Sequence, residues 1–264
     1  MLRLKNVRKV FQAGTVNEKV ALAAINLEIP AGDFVTIIGS NGAGKSTLLN
    51  VIAGVYPVDA GRIYLDDQDV TGWAEHVRAR LMGRVFQDPL LGTAASMTIE
   101  ENLAMALRRG EKRRLRKGIT AAERALFRER LAELGLGLEN RLNDRVRLLS
   151  GGQRQALTLL MATLKKPQLL LLDEHTAALD PKTGEKVLDL TIRLVEEHRL
   201  TTLMVTHNLH QALRAGNRTL MMDEGQIILD VRDAERQRTT VHDLLALFEK
   251  RGVYSDKLLL ANAP

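Results

Sequence analysis

No cysteine occurs among the 264 residues, which excludes a disulfide framework, a thiolate metal site and a cysteine nucleophile. Long apolar runs are missing too: none approaches the 18 or so residues that a membrane span needs. The opening MLRLKNVRKVF alternates charged with apolar residues and forms no signal-type segment, so a cytoplasmic location is expected. Aromatic residues are only 3% of the chain, and no basic stretch interleaves with them to make a platform for stacked bases. Nucleic acid is therefore not an expected partner, although a net charge of +6 attracts polyanions in general. Apolar residues, at 45%, are plentiful enough for one large core without staples.

The stretch from Gly39 to Thr47, GSNGAGKST, fits G-x-x-x-x-G-K-[ST] and follows the β-type run Phe34 to Ile38. A short apolar helix, closed by Gly54, comes after it. Glycines at 39, 42 and 44 permit a tight turn that aims successive N–H groups into a concavity for phosphate oxygens, at a helix N-terminus of positive potential. Gly39, Ser40, Asn41, Gly42, Ala43, Gly44, Lys45, Ser46 and Thr47 are thus candidate nucleotide-binding residues. Lys45 is placed to reach the β- and γ-phosphates and the Ser46 hydroxyl to ligate Mg²⁺.

Two apolar runs of the doubly covered kind, Leu169 to Leu172 and Thr202 to Thr206, end at Asp173-Glu174 and at His207. Between them Asp180 and Pro181 read as the N-cap and first position of a helix, completing a β-α-β unit. Asp173, at a strand's carboxyl end, suits Mg²⁺ held through water; Glu174 suits the general base that takes a proton from attacking water. Thr98-x-x-Glu101, Thr120-x-x-Glu123 and Ser150-x-x-Gln153 each read as a capping box opening a helix. At the third, Gly151 and Gly152 let an anion approach bared N–H groups, giving one chain two anion-seeking helix starts. Phe11 sits among polar neighbours; it is either a core or hairpin residue or a ring that lies flat on a base. The basic run Arg108 to Lys117 is either a solvated loop or a patch for an anionic membrane surface.

Taken together, these stretches resemble the ABC ATPase family. GSNGAGKST resembles its Walker A, Leu149-Ser150-Gly151-Gly152-Gln153 its signature motif, and Leu169 to Glu174 its Walker B with the following glutamate. Gln87 resembles its Q-loop, Ala178-Leu179-Asp180 its D-loop, His207 its H-loop and Phe11 its base-stacking residue. The resemblance implies an α/β fold, a P-loop NTPase core of ABC ATPase type with an N-terminal antiparallel β region and an inserted α-helical subdomain. Residues 1–264 would form a single domain, with 1–87 and 167–264 as the nucleotide-binding core and 88–166 as the helical subdomain carrying the signature. It further implies a head-to-tail dimer, in which Ser150, Gly151, Gly152, Gln153 and Asp180 of one copy close on ATP held by the other. His207 would contact the γ-phosphate, and Gln87 would reach Mg²⁺ and relay the nucleotide state. His175 departs from the family, which commonly has proline there, and this puts the rigidity of that turn in question.

The expected function is the ATP-hydrolysing subunit of a bacterial-type transporter, peripheral on the cytoplasmic face of the inner membrane. Expected partners are a second copy, integral membrane permease subunits and an extracytoplasmic solute-binding protein. Residues 87 to 102 look like an importer subgroup associated with amino-acid-type permeases, and the apolar stretch from Asp88 to Ile99 is the expected permease seat. An exporter or lipid-trafficking ATPase would share every motif. A non-transport ABC ATPase is the other alternative, though neither tandem nucleotide domains nor a long coiled-coil insertion is present.

Overall fold

The computed structural model describes residues 1–111 and 118–250. They divide into two compact units, residues 1–78 with 199–250, and residues 79–111 with 118–198. The first unit begins with β1 (Leu2–Phe11), β2 (Lys19–Ile29), β3 (Phe34–Gly39), α1 (Lys45–Ala53), β4 (Ala60–Leu65), β5 (Gln68–Asp69) and α2 (Glu75–Arg78). The second unit holds β6 (Met82–Val85), α3 (Ile99–Leu107), α4 (Ala121–Ala132), α5 (Gly151–Thr163), β7 (Leu169–Asp173) and α6 (Pro181–His198). The chain then returns to the first through β8 (Thr202–Val205), α7 (Leu209–Arg214), β9 (Arg218–Asp223), β10 (Gln226–Arg232), α8 (Asp233–Arg238) and α9 (Val241–Lys250).

Two sheets organise the first unit. The antiparallel one runs β2-β1-β4-β5, and its strands alternate: Leu2, Leu4 and Val7 of β1 and Leu22, Ile25, Leu27 and Ile29 of β2 are buried while polar neighbours face out. In the other, β3 lies parallel to both β8 and β9, with β10 antiparallel on β9. Every residue of β3 is buried, which is why its sequence is a continuous apolar run and not an alternating one. Its one hydroxyl, Thr36, is satisfied by the Ala212 carbonyl at 3.0 Å and the Thr219 hydroxyl at 2.9 Å. The strand feeding the phosphate loop is therefore held from both sides.

In the second unit β6 and β7 pair in parallel, Met82 opposite Leu169 and Val85 opposite Leu172. Its helices open where the capping boxes place them: Thr98, Thr120 and Ser150 each accept from the N–H three residues on, and Glu101, Glu123 and Gln153 reach back. Phe127 and Leu131, one turn apart on α4, are fully buried. The short helices α2 and α8 have no apolar period in the sequence, and the motif reading passed over them.

Candidate functional site

Between β3 and α1 the backbone turns through left-handed geometry at Gly39 (φ 154°), Gly42 (φ 86°) and Gly44 (φ 101°). At Gly39 a Cβ would lie 2.3 Å from the Met222 carbonyl, and at Gly44 2.5 Å from that of Ala21, so no larger residue fits either position. The β9–β10 turn braces the loop from outside. Gly225 donates its N–H to Ala43 at 3.0 Å and accepts from Ala23 at 2.8 Å. Lys45 is buried and folds its ammonium back onto the Gly39 and Ser40 carbonyls, at 2.8 and 2.9 Å, a position a phosphate group can take over. Ser46 lies exposed in the first turn of α1, and Gly44 at the N-cap provides no side-chain cap.

Two more candidates belong to this unit. His207 follows β8 in a turn tied to β3 by Thr206 N–H to Ile37 O at 3.1 Å; Asn208 caps α7 directly after it. Phe11 meets the Tyr56 ring edge-on, centroids 5.3 Å apart, and the Lys9 ammonium stands 5.6 Å from its centroid. Half-buried and directly opposite Lys19 on β2, it is both a packing residue and a ring at the strand's end. The sequence reading missed Lys19, whose Nζ lies 3.5 Å from where a Cβ on Gly42 would stand, bringing a second cation to the phosphate loop. No motif signals it, because β2 reaches the loop through distant contacts, Ala21 O beside Gly44 and Ala23 N–H on Gly225 O.

The second unit carries the acids. Asp173 ends β7, and the Arg84 guanidinium on the paired strand β6 lies 3.7 Å from its carboxylate while covering the Phe86 ring at 4.5 Å. Glu174 has φ 45°. A left-handed conformation costs a non-glycine residue about 1 kcal/mol or more, and such strain gathers at functional turns. The turn is not loosened by His175, which is buried, with Nε2 2.9 Å from the Thr191 hydroxyl on α6. That hydroxyl donates to the Val187 carbonyl at 2.8 Å, so it accepts from the ring, which is neutral with its proton on Nε2. Burial pushes the His175 pKa down to about 4. Asp180 accepts from the Thr183 N–H at 3.1 Å as the helix cap, and hydrogen bonds from Thr183 hold its carboxyl below the usual range.

At the start of α5, Ser150 and Gly151 are exposed, while Gly152 is packed so closely that a Cβ would lie 2.2 Å from Thr183. Gln153 is engaged within its own turn, accepting from Ser150 N–H at 3.2 Å. Gln87 is exposed after β6. In the stretch beyond it Leu90 and Leu91 are 49% and 69% exposed, although Gly92 sits against Thr158. The buried Asn102 side chain pins that stretch, accepting from Ala94 N–H and donating to the Ala94 and Thr98 carbonyls. Of the basic run, residues 112–117 lie outside the described residues. Arg108 pairs with Glu123 at 2.8 Å, and Arg109 binds the carbonyls of Ala162 and Lys165. Those two arginines are thus committed within the protein, not to a membrane surface.

A glycine-turned phosphate loop between a buried parallel strand and a helix defines a nucleotide-binding protein of the P-loop class. A family model described as ABC transporter matches residues 22–177, and the chain belongs to that family. It is 47% identical over 250 residues to the tyrosine transport ATP-binding protein of Clostridioides difficile (strain R20291), covering 94% of this chain and 99% of the relative. It is 34% identical to the lipoprotein-releasing system ATP-binding protein LolD of Ruegeria sp. (strain TM1040), covering 86% and 97%. A solved dimeric post-hydrolysis state of an ATP-binding cassette, bound to ADP and Pi, superposes with a TM-score of 0.74 at 31% identity over 88% of this chain and 98% of that one. The protein is an ATP-binding subunit and ATP hydrolase of the ABC type, with the expected α/β fold. Among the described residues no helix is long and apolar enough to cross a membrane.

Among the described residues no cluster of three His, Asp or Glu could hold a metal ion alone. The candidate donors, Ser46 hydroxyl, Gln87 amide and Asp173 carboxylate, are all oxygen ligands of the hard kind. That set suits Mg²⁺, which keeps waters and takes the remaining ligands from substrate phosphates.

Proposed function

We propose that this chain powers a bacterial importer of a small solute such as an amino acid, working as a head-to-tail dimer peripheral on the cytoplasmic face of the inner membrane. The observation that carries the amino-acid reading is the 47% identity to a tyrosine transport ATP-binding protein along 94% of the chain. The lipid-directed alternative rests on a relative at 34%, a weaker likeness of similar extent. The permease subunits and an extracytoplasmic solute-binding protein are the remaining proposed partners.

In this reading the Gly39 to Thr47 loop and Lys45 bind the phosphates, Phe11 takes the base, and Ser46, Gln87 and Asp173 hold Mg²⁺. The metal would offset charge building on the transferred phosphoryl group. Glu174 takes the proton from attacking water, His207 contacts the γ-phosphate, and Ser150, Gly151, Gly152, Gln153 and Asp180 act from the opposite copy. Residues 88–166 are proposed as the helical subdomain and the rest as the nucleotide-binding core. Leu90 and Leu91, exposed on a pinned loop directly after Gln87, form the proposed permease seat, because two bare leucines on a rigid loop favour burial by a partner. The test is affinity purification from membranes followed by reconstitution. Copurification with a polytopic permease, and ATPase activity that rises with an amino-acid-loaded binding protein, support the reading; stimulation by lipid or lipoprotein alone overturns it.

A further inference from the structure

Each helix that opens at a proposed anion-binding motif has an arginine against its opposite end, Arg78 buried and Arg109 half-buried. The Arg78 guanidinium is enclosed at 2% exposure. Nη1 donates to the Val51 and Ile52 carbonyls in the last turn of α1, both at 2.8 Å; Nη2 donates to Thr71 O at 2.9 Å and Nε to Trp73 O at 3.1 Å. Gly54 makes room for it: a Cβ there would stand 2.9 Å from Arg78 Nε. In the other unit, Arg109 donates from Nη1 to Ala162 O at 3.2 Å and from Nη2 to Lys165 O at 2.8 Å, at the end of α5. Its Nε is buried without a hydrogen-bond partner.

Closing a helix does not demand this. Gly54 already caps α1 through its N–H to the Asn50 and Val51 carbonyls. Burying a guanidinium against carbonyls is an expensive way to add more donors. What the side chain adds beyond donors is a positive charge on the negative end of the helix dipole. α1 has nine residues, so that charge stands about 14 Å from the phosphate loop along the axis. With the negative end neutralised, the positive end facing the ligand is less compensated, and the helix is tied to Thr71 and Trp73 so that its first turn keeps its aim.

We infer that Arg78 and Arg109 are positioning residues for nucleotide, Arg78 through α1 for binding within one subunit and Arg109 through α5 for the step that needs the signature helix. The inference rests on the reading of the Lys45 loop and of Ser150 given above, and Lys45→Ala serves as its control. The experiment measures ADP binding to the single subunit and kcat at saturating ATP for the Gln and Lys variants at each position, with thermal melts to show that they are folded.

Arg78→Gln is expected to weaken ADP binding about tenfold, as loss of a charge-assisted cap does, and Arg78→Lys, which keeps the charge, to recover most of it. Arg109→Gln is expected to leave ADP binding alone and to lower kcat about tenfold, with Arg109→Lys again restoring it. A merely structural role moves melting temperature but not this opposite split between affinity and turnover. Wild-type ADP affinity in Arg78→Gln, equal losses in its Gln and Lys variants, or weakened ADP binding in Arg109→Gln overturns the proposal. If Arg78→Gln does not fold, the Arg78→Lys affinity and the Arg109 pair still decide it. ADP binding that survives Lys45→Ala defeats the phosphate-loop reading instead.

Discussion

At the start of α1 the N-cap is Gly44, which has no side chain to offer, whereas at the start of α5 Ser150 takes the Gln153 N–H and Gln153 reaches back to the Ser150 N–H. The first start is bought with left-handed glycines that pack against Met222 and Ala21 and with a buried lysine turned onto its own loop. The second needs no such strain at its cap; Ser150 and Gly151 are simply exposed. A capping serine contributes about 1 kcal/mol to its helix, so α5 is well formed before any ligand arrives. The difference teaches a division of labour. That division fits the proposed dimer, in which the loop at α1 is an anion site within a single subunit and the start of α5 is a formed surface for nucleotide delivered by another copy.

The strongest way to break this comparison lies in the acid that follows both helices in sequence. Glu174→Gln keeps the shape and removes the base, so both starts should still engage ATP while turnover falls about 10²- to 10⁴-fold. Retained ATPase activity would remove Glu174 from the mechanism. Next in size is Leu91→Asp, which touches neither start. Burying an unpaired charge costs roughly 3 kcal/mol or more, so copurification with permease should be lost while ATP hydrolysis by the isolated subunit persists. Copurification at wild-type levels would place the coupling surface elsewhere.

A sharper contrast comes from paired substitutions. Gly44→Ala drives a Cβ against the Ala21 carbonyl and should weaken nucleotide binding to the single subunit about tenfold or more. Ser150→Ala should leave that affinity unchanged and lower stability by about 1 kcal/mol together with kcat; titration calorimetry and urea unfolding separate the two. The smallest effect concerns His175, whose folded pKa of about 4 lies below its usual value near 6.5. Between those values the unfolded chain holds more protons, so stability declines as pH falls through that window. His175→Gln should flatten that part of the profile in pH-dependent unfolding, and an unchanged slope would show that the ring titrates normally.

The motifs were legible because each places fixed residue types at fixed spacing: glycines for φ, a lysine for phosphate, a serine with glutamine for a cap. The three capping boxes and the buried strands β3 and β7 follow from the same local chemistry. What escaped was made by distant partners. Arg78 sits in a four-residue helix and its carbonyls come from residues 51 and 52, so no spacing rule points to it. Lys19 reaches the phosphate loop through the packing of β2 on Gly44 and Gly225, and Arg84 meets Asp173 through the pairing of β6 with β7. Arg108 and Arg109 read as part of a charge run, yet a run says nothing of which carbonyls and carboxylates lie beside it.

The central claim is that the two helix starts serve one nucleotide from two copies, and mixing two dead subunits tests it most directly. Lys45→Ala removes the phosphate lysine; Gly151→Asp sets a negative charge at the start of α5, against the incoming phosphate. Neither homodimer should hydrolyse ATP. A heterodimer has one site with both lesions and one with neither, so the mixture should regain ATPase activity in proportion to the heterodimer formed. Heterodimers that assemble and stay inactive would contradict the account.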